Sequence, residues 1–294
     1  LKLGDRAKTW TVSLLLVIAL AACSGRSAPD VLTTTTLLAD ITCNVAGGRL
    51  TVGSLLPVGA DPHSYQPVAQ DAAKIADSKV LVVHGADYEN FLDALLENAG
   101  SPERVIDVST GSHLLSDEQG TDPHLWLDPN QVIVYVDNIR EGLSQFDPDG
   151  AEIYRANASA YIDQLTELDA WIKGQVAQIE PQRRVLVTNH EAFGYFAERY
   201  DFTVVGAVIP SFSAEAAPSA RQMVDLIEQI KLYEVPAIFL DASDNPDLAR
   251  QIAAETGVKV VGDLHLESLT EGDPAATYID LMRDNVAKIV LALR

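Results

Sequence analysis

Cysteine is nearly absent: Cys23 and Cys43 are the only two in 294 residues. A disulfide framework is therefore excluded, and a mature domain left with Cys43 alone cannot form an internal disulfide, so its stability must come from burial. Basic residues are also scarce, 21 Lys and Arg against 42 Asp and Glu, and the net charge of −21 repels nucleic acid while raising the local concentration of cations. No H-E-x-x-H helix motif and no G-x-S-x-G elbow occurs anywhere in the chain, which argues against the zincin and α/β-hydrolase classes. The most apolar run, residues 10–22, is too short for a comfortable membrane span.

What that run does fit is an export signal. Lys2, Arg6 and Lys8 precede it as a positive n-region. It ends in Leu20-Ala21-Ala22-Cys23, which resembles the lipobox of bacterial lipoproteins, cleaved before a cysteine that becomes lipid-modified. The expectation is a signal peptide over 1–22 and a polar tether over 23–30, with Cys23 anchoring the protein to the membrane; an ordinary signal with an incidental cysteine is the alternative. An extracytoplasmic, lipid-anchored protein of the bacterial cell surface or periplasm follows.

From residue 31 onward, short β-rich stretches alternate with helical patterns. Strands are predicted at 31–36, 50–56, 80–84 and 104–108, with helices at 38–45, 68–76, 88–98 and 130–146. Residues 151–180 contain no proline and carry apolar residues at steps of three and four, from Tyr154 through Leu165 and Leu168 to Ile179. That spacing predicts one long amphipathic helix, stopped by Pro181. The alternation then restarts, with strands at 184–188, 203–208, 237–240 and 259–262 and helices at 192–199, 219–233, 246–256 and 275–293. The fold class expected is α/β: two βα sandwich lobes with mostly parallel sheets, 31–148 and 181–294, joined by a linker helix over 149–180.

Two of the six histidines share a tripeptide, Asp61-Pro62-His63 and Asp122-Pro123-His124. Proline fixes its own φ and restricts the residue before it, so each histidine sits on a stiffened loop, which lowers the entropic cost of binding a ligand. His190 follows the predicted strand 184–188, and Asp263 directly follows the predicted strand 259–262. Open α/β sheets gather ligands beyond the carboxyl ends of their strands, so two groups from each lobe can meet in one crevice. Three imidazoles and a carboxylate are donors that borderline cations such as zinc accept. Taken singly, each histidine is more often a loop or core residue than a ligand. His265, two residues past Asp263 and on the same face of an extended chain, is a substitute for it. His84 is read as bonded to a loop near the crevice, and the aromatic residues Trp126, Phe193, Tyr195 and Phe196 as packing around the site.

The segments 57–67, with Asp61-Pro62-His63-Ser64-Tyr65, 122–129, with Asp122-Pro123-His124-Leu125-Trp126, and Asn189-His190-Glu191-Ala192-Phe193-Gly194-Tyr195 resemble the zinc and manganese substrate-binding proteins of bacterial ABC importers. The resemblance runs in order from about residue 31 to the C-terminus. It implies a two-lobed fold with a metal held by His63, His124, His190 and Asp263, and delivery to a membrane permease coupled to a cytoplasmic ATPase, with the binding protein acting as a monomer. Many zinc members carry a long histidine-rich loop before the second ligand. Here 111–121 is short and holds only His113, so high-capacity scavenging is not expected. Asp241 stands where relatives commonly have glutamate and is read as a strand-end loop acid.

Three nitrogens and one carboxylate favour zinc as the cargo, because manganese prefers more oxygen donors and higher coordination; manganese is the alternative. A zinc-dependent hydrolase using the same histidines is the competing function, with Glu191 as its candidate base. The fourth protein ligand argues against it, since a closed shell leaves no open position. Capture without catalysis is the expectation.

Overall fold

A computed structural model describes residues 28–92, 95–96, 104–214 and 216–294. The expected signal 1–22, the anchor Cys23 and most of the tether 23–30 lie outside the described residues, as does part of the expected helix 88–98. Among the described residues, no helix is long and apolar enough to cross a membrane.

The chain builds two four-stranded parallel sheets in two lobes. The first contains β1 (Val31–Thr33), β2 (Val52–Ser54), β3 (Val80–Val83) and β4 (Arg104–Asp107), in the spatial order β2-β1-β3-β4. Its helices include α1 (Thr36–Ala46), α2 (Ala69–Asp77) and α3 (Pro129–Phe146). A small antiparallel hairpin, β5 (Ser116–Asp117) with β6 (Gly120–Thr121), precedes the second Asp-Pro-His tripeptide. The long helix α4 (Ala151–Val176) follows, at about 1.5 Å per residue long enough to run across a whole lobe.

The second sheet contains β7 (Val185–Thr188), β8 (Thr203–Ala207), β9 (Ala237–Asp241) and β10 (Lys259–Leu264), in the order β10-β9-β7-β8, again all parallel. Read from its other edge, this is the arrangement of the first sheet: the first strand of each lobe lies between its second and third. Helices α5 (Gly194–Tyr200), α6 (Ala220–Leu232), α7 (Asp247–Thr256) and α8 (Tyr278–Leu293) complete the lobe.

Period-two burial explains the layering. In β3, Val80 and Val82 join the central core while Leu81 and Val83 face the opposite side; in β7, Leu186 joins that core while Val185 and Val187 face away. The central core takes one face of both sheets, the stripe Tyr154, Tyr161, Leu165, Leu168 and Ile172 of α4, and Tyr278, Leu281 and Ile289 of α8. The linker helix is thus packed into both lobes along its length.

Two boundaries differ from the sequence expectation in ways that bear on function. Helix α4 stops at Val176, and the chain turns through Ile179, whose buried side chain closes the core before Pro181. Strand β10 runs to Leu264 rather than Gly262, with an irregular register between Val261 and Leu264. That longer strand moves the start of the following loop two residues downstream.

Candidate metal centre

Both sheets present their carboxyl ends to one crevice, and four loops deliver side chains into it. In the first lobe each Asp-Pro-His tripeptide forms the same local turn: Asp61 Oδ1 accepts from the His63 backbone N–H at 2.9 Å, and Asp122 Oδ1 accepts from that of His124 at 3.0 Å. The second tripeptide goes further. Asp122 Oδ1 also lies 2.8 Å from His124 Nδ1, so the ring's Nδ1–H is donated to the carboxylate and Nε2 is turned into the crevice. Beyond His124 the chain makes a single turn, Leu125–Leu127, and enters α3 with Asp128 accepting from Asn130 N and Pro129 in the first turn.

From the second lobe, His190 follows β7 and is buried, with its carbonyl accepting from the Thr188 hydroxyl at 2.7 Å. Glu267 arrives three residues after β10 and is 3% exposed. Its segment is pinned from both lobes: Leu266 N–H donates to Asp241 Oδ2 at 2.5 Å, and the Leu266 carbonyl accepts from Trp126 Nε1 at 2.8 Å. Glu267 Oε2 accepts from the Tyr88 hydroxyl at 2.5 Å.

Glu267 Oε1 then stands 3.5 Å from His124 Nε2, 3.5 Å from His190 Nε2 and 3.7 Å from His63 Nε2, while the His124 and His190 Nε2 atoms are 3.3 Å apart. One donor atom from each of the four residues lies within 4.8 Å of all the others. Among the described residues, this is the group that can hold a metal ion. His63 Nε2 and Glu267 Oε1 are buried yet have no hydrogen-bond partner, an arrangement that costs free energy unless something else engages them. Four donors at the roughly 2.0–2.2 Å bond lengths of a tetrahedral zinc site would be about 3.3–3.6 Å apart, the spacing found among His124, His190 and Glu267, with His63 Nε2 slightly farther from the carboxylate at 3.7 Å.

The electrostatics are those of an ion-binding pocket. Burial alone would push the Glu267 carboxyl up, but the three imidazoles facing it outweigh burial and hold it well below the usual carboxylate range. Burial pulls His124 down, and Asp122 and Glu267 together more than reverse this, raising it to about 9. Burial lowers His190, keeping that imidazole neutral. Tyr88 is pushed well above its ordinary range by burial and by Glu267, so its hydroxyl remains a donor. A cavity of about 280 Å³ reaches the cluster at His63, walled by Tyr88 and Asp87 on one side, the β5–β6 hairpin on another and Ser211 to Ser213 on the third.

The structure does not bring Asp263 into this group. It still belongs to β10, its side chain is 67% exposed, and its carboxylate lies 3.1 Å from Lys288 Nζ. His265 is also outside: its backbone N–H and C=O pair with the Asn285 side chain. Because the strand continues to Leu264, the loop enters the crevice later than expected, and Glu267 takes the place assigned to Asp263. Glu267 was not singled out in the sequence. The signal available was an acid set among Leu264, Leu266 and Leu269, all buried, which is an unusual setting for an unpaired carboxylate.

The other sequence candidates have separate roles. His84 lies behind the site, its Nε2 2.8 Å from Thr35 Oγ1 and its ring packed on Trp126 and Tyr88; burial lowers it to about 3. His113 is exposed beside Glu198. Asp241 accepts from Ser243 and Leu266 backbone N–H groups. Glu191 accepts from Gln119 Nε2 at 2.7 Å, tying the hairpin to the second lobe.

Comparison with known proteins identifies the family. Residues 31–292 match the family described as zinc-uptake complex component A, periplasmic. The chain belongs to this family. Among relatives of this component A family, the manganese-binding lipoprotein MntA of Halalkalibacterium halodurans is 36% identical over 294 residues, covering 95% of this chain and 97% of the relative. Among solved structures, the periplasmic zinc binding protein TroA from Treponema pallidum superposes with a TM-score of 0.83 at 30% identity, covering 90% of this chain and 99% of that one. A manganese-bound periplasmic metal binding protein from Candidatus Liberibacter asiaticus gives 0.80 at 28% identity, with the same coverage.

Proposed function

We propose that this component A family member is the extracytoplasmic substrate-binding component of a metal ABC importer, capturing a divalent transition metal between His63, His124, His190 and Glu267 and handing it to a membrane permease driven by a cytoplasmic ATPase. The observation that carries the reading is the convergence of three Nε2 atoms on one unpartnered carboxylate oxygen at 3.5–3.7 Å. Charge supports it as well. A dication facing Glu267, with Asp122 behind His124, makes a neutral buried group, which avoids the large cost of an isolated internal charge. The surplus of acids over the whole chain favours cation approach.

Zinc is the cargo that the donor set favours, three nitrogens and one oxygen. Manganese is the second reading, supported by the manganese-binding relative that matches nearly the whole chain. Capture is favoured over hydrolysis, because Glu267 occupies the position that a catalytic zinc keeps open for water and Glu191 is engaged with Gln119. In keeping with the lipoprotein relatives, we assign Cys23 as a lipid anchor outside the cytoplasmic membrane and the protein as a monomer.

The test is calorimetric titration of metal-free protein with zinc and manganese, alone and in competition, on wild type and on His63→Ala, His124→Ala, His190→Ala and Glu267→Gln. One ion per chain is expected, with each variant weakened at least ten-fold. Wild-type affinity in the combined histidine variant would refute the site. Metal-dependent hydrolysis abolished by Glu191→Gln would favour the enzyme.

A further inference from the structure

We infer that Tyr88 is a specificity-determining positioning residue, which holds Glu267 to a single coordinating oxygen and thereby keeps the site four-coordinate. The inference rests on the metal-capture reading above and concerns how that site chooses its ion.

The two oxygens of Glu267 have different surroundings. Oε2 accepts the Tyr88 hydroxyl at 2.5 Å, whereas Oε1 has no hydrogen-bond partner and faces all three imidazoles. A carboxylate so divided offers the ion one oxygen. To bind through both, it would have to rotate about its terminal bond and either share Oε2 between the ion and the tyrosine, which weakens it as a donor, or abandon the tyrosine. Charge-assisted hydrogen bonds of this length are the strong ones, and giving this one up costs free energy.

Tyr88 cannot follow such a rotation. Its ring is 2% exposed and packs edge-on against His63 at 5.5 Å, His84 at 4.8 Å and Trp126 at 4.9 Å between centroids. The backbone that delivers it is equally constrained. Gly85, Ala86 and Asp87 turn the chain with φ of 73°, 50° and 60°, so two residues with side chains occupy the left-handed region immediately before the tyrosine. Such conformations persist only where the surrounding structure imposes them. Glu89 holds that turn closed, accepting backbone N–H groups of His84 at 2.6 Å and Gly85 at 3.1 Å and the Thr34 hydroxyl at 2.7 Å.

The consequence is a choice between ions. Zinc is satisfied by four donors, whereas manganese prefers more oxygen and higher coordination, which a two-oxygen Glu267 would supply. Tyr88 therefore disfavours manganese relative to zinc, although it touches neither.

The variant Tyr88→Phe removes the hydroxyl and keeps the packed ring. Wild type and variant would be loaded with cobalt(II), whose visible d–d bands are intense in a tetrahedral site, which lacks an inversion centre, and weaken when coordination rises. Expected are intense bands in wild type, weaker bands in the variant, and a manganese-to-zinc affinity ratio raised roughly ten-fold or more, the scale of changes behind a metal ligand. An unchanged cobalt spectrum and an unchanged ratio would overturn the inference while leaving metal capture intact. Failure of wild type to bind zinc, manganese or cobalt would overturn both. Should the variant not fold by near-ultraviolet circular dichroism, X-ray absorption of zinc-loaded wild type decides: four light scatterers support the inference and five or six refute it.

Discussion

Gly194 stands directly against Asp122: a Cβ on Gly194 would lie 2.5 Å from Asp122 Oδ2, closer than real contacts allow. The glycine that opens α5 in the second lobe thus makes room for the carboxylate that orients His124 in the first. Tyr195, its neighbour, donates its hydroxyl to the Asp122 carbonyl at 2.9 Å.

Gly194→Ala should therefore act on the metal without touching it. The methyl group would displace Asp122, loosen the His124 ring and lower zinc affinity about 10–100-fold, as loss of an orienting carboxylate does elsewhere. Calorimetric titration of the variant against wild type, with metal-free melting temperature as the folding control, checks this. An affinity within two-fold of wild type would separate Gly194 from the site.

The pH dependence follows from His124. Its folded value is raised to about 9, so at neutral pH Nε2 carries a proton that the incoming ion must displace. Metal binding should release about one proton per ion at pH 7, measurable from binding heats in buffers of different ionisation enthalpy. Affinity should rise with pH until His124 is neutral, near 9. The metal-free protein should show the opposite trend. A raised folded value contributes stability that is fully present below the ordinary histidine value of about 6.5 and lost as pH climbs through 9. Glu267 acts at the other end: its lowered value contributes stability present above the ordinary carboxylate range and lost as acid protonates it.

Trp126→Phe should loosen the first lobe's hold on the Glu267 segment. It removes the indole N–H that bonds the Leu266 carbonyl and leaves that buried acceptor unpaired, costing about 1–3 kcal/mol. Chemical denaturation gives the stability loss, and titration should show zinc bound less tightly because one of the bonds that tie the Glu267 segment to the first lobe is gone. A variant as stable as wild type would mean that the carbonyl finds another donor.

Asp263→Asn is expected to leave zinc affinity within two-fold of wild type. Its carboxylate is mostly exposed and pairs with Lys288 at the surface, where such pairs contribute roughly 0–1 kcal/mol. A ten-fold loss on titration would return Asp263 to the ligand set in place of Glu267.

The βα alternation, the two parallel sheets and the long helix before Pro181 were legible in the residues themselves, because strand and helix periodicities are local and β7, β9 and α4 bury their apolar residues on schedule. The Asp-Pro-His tripeptides were legible for a similar reason, since proline restricts its own neighbourhood whatever surrounds it. The fourth donor was not. Asp263 and Glu267 lie four residues apart, and either suits a metal chemically. What separates them is that β10 pairs with β9 as far as Leu264, leaving Asp263 on the exposed edge beside Lys288, while Asp241 and Trp126 grip Leu266 and turn Glu267 inward. Those partners are 25 and 140 residues away in the chain. The sequence by itself determined the class of donors and the loops that offer them; only long-range pairing decided which carboxylate faces the histidines, and that one of its oxygens belongs to Tyr88.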